Sequence, residues 1–461
     1  MPHLDIVVRG GIVITSRELL RLDVGIAGGK VVLLGSSSHF PAADKSIDAT
    51  GKLVLPGAID THVHFRDPGF PDREDFQSGT RAAAAGGVTT VVDMPNTVPT
   101  VVEGETLKGK AESCQKKAHV DFGLYAGAGT DSIPQIPELA GAGAIAFKTL
   151  MANYPTPGRE PEFRGLHLKS DDSIIDVIEA VAKTGITHVF HCETDYMIRH
   201  AVERTKAQGR KDPAAHVDSR PSYAEADAIS RVLLLGRAYN DRVHIAHMST
   251  SEGVELIQNE KKHGFRVSCE TCVHYLLLTR DDMNRLGTKA KIQPPLRDEA
   301  TQEALWNGIN DGTIDSLCSD HSPFTLEEKN RDIWNALPGA PDLENMIPLM
   351  LDSVNRGRLA ITKLVEISSE RPAKIFHMFP KKGHLGIGAD ADLIIVDMKL
   401  EKTIRAQKMQ TRGRESTIFD GRMVKGWPIM TLVRGQVVMK DSEMMGSPGQ
   451  GEWITPNLKL S

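Results

Sequence analysis

Between residues 88 and 320 the chain alternates short, almost wholly apolar runs with longer amphipathic stretches. The runs VTTVVDM, HVDFGLYAG, AIAFKTL, THVFHC, RVHIAHM, FRVSCE and IDSLCSD are near-continuously apolar, as strands covered on both faces are. Stretches such as DDSIIDVIEAVAKTG and PSYAEADAISRVLLLGRAYN between them are helix-like. This alternation predicts a parallel sheet clothed by helices. Several runs end on a polar residue, the pattern of a barrel whose functional groups sit at its C-terminal mouth.

The flanks have a different texture. DIVVRGG, DVGIAGG and KVVLLG, within residues 5–35, are short apolar runs punctuated by turn signals, which reads as hairpins. GHLGIGADADLIIVD (383–397), STIFDG (416–421) and TLVRGQVVMKD (431–441) repeat that texture. Both termini are therefore expected to build one discontinuous β-sandwich from residues 1–55 and 380–445, beside a barrel of residues 56–379. The polar, turn-rich tail 446–461, with SPGQGEWITP, is expected to form an arm crossing to another subunit. Tandem repeats and low-complexity segments are absent.

At 461 residues the chain suits one barrel with insertions plus a small accessory domain. Its 55 basic and 60 acidic residues give a net charge of −5 with no long like-charge block, which argues against nucleic-acid and membrane-surface partners. No apolar stretch reaches the roughly 18 residues a membrane span needs. A small molecule is the expected partner. The five cysteines (Cys114, Cys192, Cys269, Cys272 and Cys318) are odd in number, and the opening MPHLDIVVRGG lacks a basic region followed by an apolar one. The expectation is a reduced, cytoplasmic protein. Cys269 and Cys272 lack a second pair to complete a zinc site, so they are read as core packing.

Candidate chemistry concentrates in residues 57–97, GAIDTHVHFRDPG followed by GTRAAAAGGVTTVVDMPNT. His62 and His64 stand at the spacing that sends neighbouring strand positions to one side, so the pair can share a metal. With 17 histidines in the chain, chance supplies about 0.6 such pairs, so the pair alone carries little weight. Lys148 closes an apolar run in AIAFKTLM, where a free ammonium is expensive to bury unless paired or neutralised. A lysine reaching to the barrel rim is the bland alternative.

The wider string, His-x-His-x-Arg-Asp-Pro-Gly, an Ala-rich helix, Gly-Gly-Val-Thr-Thr and Met-Pro-Asn-Thr, resembles the cyclic amidohydrolases, a group of hydantoinases, dihydropyrimidinases, allantoinases and dihydroorotases. The resemblance spans nearly the whole chain. It implies an α/β fold, a TIM-like (β/α)8 barrel with a β-sandwich from both termini, and two divalent ions, zinc by first choice, at the mouth. It implies that His62, His64, Lys148, His191, His247 and Asp320 are the metal ligands. Lys148 would be carboxylated and bridge both ions, and Asp320 would handle protons in hydrolysis of a ring amide. His247 is assigned ahead of His244 because Met-Ser follows it.

For the substrate, the same resemblance points to Arg66, Asn96, Tyr154, Gln293 and Asn335. Arg66 and Asn96 look like carboxylate holders of dihydroorotases, but Phe324 replaces a histidine that helps them there, and an apolar ring at that point favours an uncharged substituent. Arg66 would then pair with Asp67, Asp72 or Glu74. ETCVHYL and SDHSP are allantoinase-like, and NALPGAPD is hydantoinase-like. In hydantoinases the main chain at Gln293 and Asn335, with a tyrosine near Tyr154, holds a cyclic ureide; Tyr154 lies one residue further from Lys148 than usual. The expected activity is ring opening of a cyclic ureide or amide of hydantoinase, dihydropyrimidinase or allantoinase type. Dihydroorotase is the alternative. A non-catalytic assembly protein related to dihydropyrimidinase is the alternative of another class, against which the intact ligand set argues. A homodimer or homotetramer is implied.

Overall fold

The computed structural model describes residues 3–152, 159–170 and 172–458. Eight strands, Ala58–Val63 (β1), Val88–Asp93 (β2), Asp121–Gly127 (β3), Ala146–Leu150 (β4), Thr187–His191 (β5), Val243–Ile245 (β6), Val267–Cys272 (β7) and Ser316–Cys318 (β8), pair in sequence order. All seven pairings are parallel. The sheet curls until Val63 bridges His321 and the His64 amide donates to the His321 carbonyl, bringing β1 beside the end of β8. β1, β2 and β3 are buried at every position, because helices cover the outside and side chains fill the interior.

The local chemistry sets these elements. The helix Phe76–Gly86 starts at Asp75, whose side chain accepts from the Ser78 amide, and stops at Gly87, whose φ of 83° is open to glycine at little cost. Its alanines let the helix lie close on the barrel and deliver the chain directly into β2. Cys269 and Cys272 are buried in β7 as expected, and Cys272 Sγ lies 3.4 Å from Cys318 Sγ across the β7–β8 pair.

Both ends of the chain supply the accessory sheets. In one, Leu4–Arg9 lies between Asp23–Ala27, which pairs onward with Lys30–Gly35, and Ala43–Asp48. The other joins Leu53–Pro56 from the first part of the chain to Leu393–Thr403 from the last, with Met423–Val433 and Gln436–Lys440 beyond it. Ile6, Val24, Ile26, Val54, Leu393 and Ile395 share one core between the sheets. STIFDG is not a strand: it forms turns, and the strand of that region is Met423–Val433. Gly426, Trp427 and Pro428 mask it in the sequence, and the ladder accommodates them with a register shift beside Val396, which pairs with Pro428.

As far as it is described, the tail is hydrogen-bonded to its own chain. Gly449 and Gly451 donate to the Ala118 carbonyl, Phe122 donates to Glu452, and Ile454 donates back to Phe122, so the tail lines the N-terminal end of β3. Nearby, Lys382 inserts between Asp121, Asp390 and Asp392 where the barrel meets the C-terminal segment, and Arg434 also pairs with Asp121. None of the helices among the described residues is long and apolar enough to cross a membrane.

Candidate active site

Six side chains from five strands or strand ends meet at the barrel mouth. His62 and His64 end β1, Lys148 stands in β4, His191 ends β5, His247 follows β6 and Asp320 follows β8; all line one cavity. His64 Nε2 and His62 Nε2 lie 3.2 and 3.4 Å from the same Asp320 oxygen. His191 Nδ1 lies 2.9 Å from His247 Nε2, and the His62 and His247 ring centres are 5.2 Å apart. Three mouth residues, Arg66, His247 and Asp320, hold left-handed backbones with φ of 58°, 37° and 46°. Such conformations are disfavoured for residues other than glycine and concentrate at functional sites.

The opposite nitrogen of three of these rings is held. His62 Nδ1 is 2.6 Å from Glu270, His64 Nδ1 is 2.8 Å from the Asn96 side-chain oxygen, and His191 Nε2 is 2.8 Å from Glu193. An oxygen acceptor there keeps the proton on that nitrogen, which leaves the lone pair of the other aimed into the cavity. Glu270 also accepts from Thr61, while Arg220 clasps Glu193 through both its Nε and Nη2. Burial by itself would raise both carboxyls; nearby His244 and the His62 hydrogen bond hold Glu270 well below the usual range, and Arg220 with His191 does the same for Glu193. Burial lowers His62 to about 4, helped by Lys148, and pushes His64 and His247 well below the ordinary imidazole value.

Lys148 is 3% exposed, and its Nζ has no hydrogen-bond partner among the described residues. Burial lowers its pKa, against the pull of Glu270 and Asp320. A cation enclosed in that way is unfavourable unless something further joins it. Neutral imidazoles, a carboxylate and an unsatisfied amine converging in one cavity fit divalent metal, and His62, His64 and Asp320 alone bring three donor atoms within 4.8 Å of one another.

The substrate-side residues divide. Arg66, Asn96 and Gln293 line the cavity, although the Asn96 oxygen is engaged by His64. Asn335 does not line it: it is exposed and bonds Asp332, while Pro338 and Gly339 form the wall there. Gly339 packs so tightly that a β-carbon would lie 2.4 Å from the Ser322 carbonyl oxygen. Tyr154 lies outside the described residues. Arg66 turns away from Asp67, Asp72 and Glu74 to meet Glu162 at 3.1 Å and the Ser322 hydroxyl at 2.8 Å. Phe324 is fully buried beneath the guanidiniums of Arg66, Arg73 and Arg159 and does not line the cavity. His244 bonds Ser268 and sits near Glu270, which leaves His247 as the histidine of this segment that faces the cavity.

Comparison with known proteins gives a coherent picture. The sequence pattern of the Amidohydrolase family matches residues 53–438. An L-hydantoinase of Paenarthrobacter aurescens is 35% identical over 456 residues, covering 98% of each chain. An allantoinase of Rubrobacter xylanophilus is 36% identical over 459 residues, covering 99% of this chain and 98% of its own. The solved structure of the L-hydantoinase (dihydropyrimidinase) from Arthrobacter aurescens superposes with a TM-score of 0.94 at 35% identity, over 98% of this chain and 100% of that one.

Proposed function

Because the chain belongs to the amidohydrolase family and is a hydrolase of cyclic amides, we propose that it opens the ring of a cyclic ureide of the hydantoin, dihydropyrimidine or allantoin kind with the six residues at its mouth. The observation that carries this reading is their convergence in one cavity from five different strands or strand ends of the barrel. His62, His64, His191, His247 and Asp320 would hold two divalent ions, zinc by donor preference, with Lys148 as a carbamate between them. The partnerless Lys148 nitrogen supports that modification, which replaces a stranded cation with a two-oxygen anion. When bound, the ions supply Lewis acidity and lower the pKa of a shared water.

The protein's own groups do the rest. Asp320 takes the proton of the attacking water as its oxygen adds to the ring carbonyl carbon. It returns that proton to the ring nitrogen as the carbon–nitrogen bond breaks, so one water is added across the amide. Glu270, Asn96 and Glu193 keep the imidazoles in the required tautomer. Gln293, Pro338 and Gly339 line the cavity wall against which a planar ureide would lie.

The test is a substrate panel of hydantoin, dihydrouracil, allantoin and dihydroorotate with metal analysis of the same protein. Ring opening of a ureide, lost on chelation and regained on adding zinc, is the expected result. Full activity in metal-free protein, or a metal-loaded protein inert toward every ring, would overturn the reading. A cytoplasmic setting fits the five buried free thiols, and the homodimer or homotetramer carried over from the resemblance can be checked by light scattering.

A further inference from the structure

Behind the cavity wall, one carboxylate holds three guanidiniums. Glu162 is fully buried, and its two oxygens accept from Arg66 Nη1 at 3.1 Å, Arg73 Nη1 at 3.1 Å, and Arg159 Nε and Nη2 at 3.0 and 2.9 Å. Burial alone would raise its carboxyl, but Arg66, Arg159 and Arg73 outweigh that and hold it down at about 2, so it is an anion throughout the working range. Arg66 and Arg159 line the substrate cavity, whereas Glu162, Arg73 and Phe324 stand behind them. Arg73 turns its Nε and Nη2 to Glu328, which is partly open to solvent.

We propose that Glu162 sets the charge preference of the substrate pocket, occupying the Arg66 and Arg159 forks from behind so that the wall accepts a neutral ring substituent and disfavours a carboxylate. A substrate carboxylate reaching Arg66 would have to compete with a buried anion already on Nη1 and with Ser322 on Nη2, Nε being the one donor without a hydrogen-bond partner among the described residues. Three guanidiniums face two carboxylates, so one positive charge is in excess, and removing the Glu162 charge doubles that excess beside the cavity. Charge-assisted pairs in a desolvated wall are strong enough for such a change to show in selectivity. Glu162 also belongs to the segment that carries Phe163 and His167 into the cavity lining, so its effect on selectivity must be separated from an effect on folding.

This inference rests on the ring-opening reading, and its test keeps the two apart. Dihydrouracil and dihydroorotate share a ring and differ by one carboxylate. The ratio of their kcat/KM values cancels any loss of folded enzyme. The wild type is expected to favour dihydrouracil; Glu162→Gln should raise the carboxylate-to-neutral ratio at least about tenfold, equivalent to about 1.4 kcal/mol, and Glu162→Asp should keep the wild-type ratio. Arg159→Gln, which removes one cation from the same wall, should lower the ratio, and it supplies the answer if Glu162→Gln does not fold. A folded Glu162→Gln enzyme with an unchanged ratio, an Arg159→Gln enzyme with an unchanged or higher one, or a wild type that already prefers dihydroorotate overturns the inference. Failure of the wild type to open any ring would instead strike at the parent reading.

Discussion

Lys148 and Lys382 are buried to 3% and 1% exposure in the same barrel, yet they meet opposite surroundings. Lys382, at the closed end, has Asp392 at 2.6 Å and Asp390 at 2.8 Å with Asp121 also bound; burial would lower its pKa, but these carboxylates outweigh burial and raise it. Lys148, at the mouth, faces imidazoles and has no hydrogen-bonded anion among the described residues, and its pKa falls. Fully surrounded, a buried ammonium joins chain segments distant in sequence. The closed end therefore contains paired charge that joins the architecture, and the mouth contains an amine without such pairing beside four imidazoles.

That contrast predicts opposite outcomes for the two lysines. Lys148→Ala should lose ring opening by roughly a thousandfold or more together with bound metal, while unfolding by urea shifts little; excess acetate or propionate should restore part of both. A Lys148→Ala protein that keeps its metal and rate would break the comparison. Lys382→Met should do the reverse, costing about 3 to 5 kcal/mol of stability because three carboxylates lose their shared partner, with the rate per folded molecule kept within about twofold. Urea titration and active-site-normalised kinetics decide it, and an unchanged denaturation midpoint would count against the structural role.

Two smaller effects sharpen the same division. Glu270→Gln leaves the mouth ligands in place but weakens the hold on His62, so metal affinity should drop about 10- to 100-fold; competition with a chromophoric chelator measures it, and affinity equal to wild type would show that Glu270 does not position the ring. At the closed end, His119 and His377 are both lowered to about 4, by burial first and then by Arg81 and Arg242 respectively. Unfolded imidazoles titrate near 6.5, so between about 6.5 and 4 the unfolded chain binds protons that the folded one does not. Stability must fall as the pH drops through that window and level off below it. His119→Leu should remove its share, seen as a melting temperature whose decline from pH 7 to pH 4.5 is about 2 °C smaller than that of wild type; parallel declines would refute the assignment.

The residues legible in the sequence were those whose chemistry is tied to strand ends. His62, His64, Lys148, His191, His247 and Asp320 each close or follow an apolar run, so period and motif together brought them to one face. Glu270 and Glu193 escaped because their role is defined by a partner: Glu270 meets His62 across 208 positions, and only ETCVHYL and the HCE following β5 hinted at them. Glu162 was invisible for the same reason, since its three arginines come from two separate loops. Asn335, whose main chain was expected at the substrate, lies off the cavity because a motif fixes only a neighbourhood, and the turn here puts Pro338 and Gly339 on the wall. The long strand Met423–Val433 was hidden by residues that usually end strands, and tertiary pairing with Leu393–Thr403 overrode them.

The tail along the base of β3 bears on how this protein can be attached to a surface. Residues 449–454 run beside Ala118 and Phe122, at the end of the barrel away from His62, His64, His191 and His247, and Asn457 is tied to His377. Substrates enter at the other end. A resin or electrode joined through an anchor beyond this segment would therefore hold the molecule with its mouth facing the bulk solution, and the support would not obstruct diffusion into the cavity.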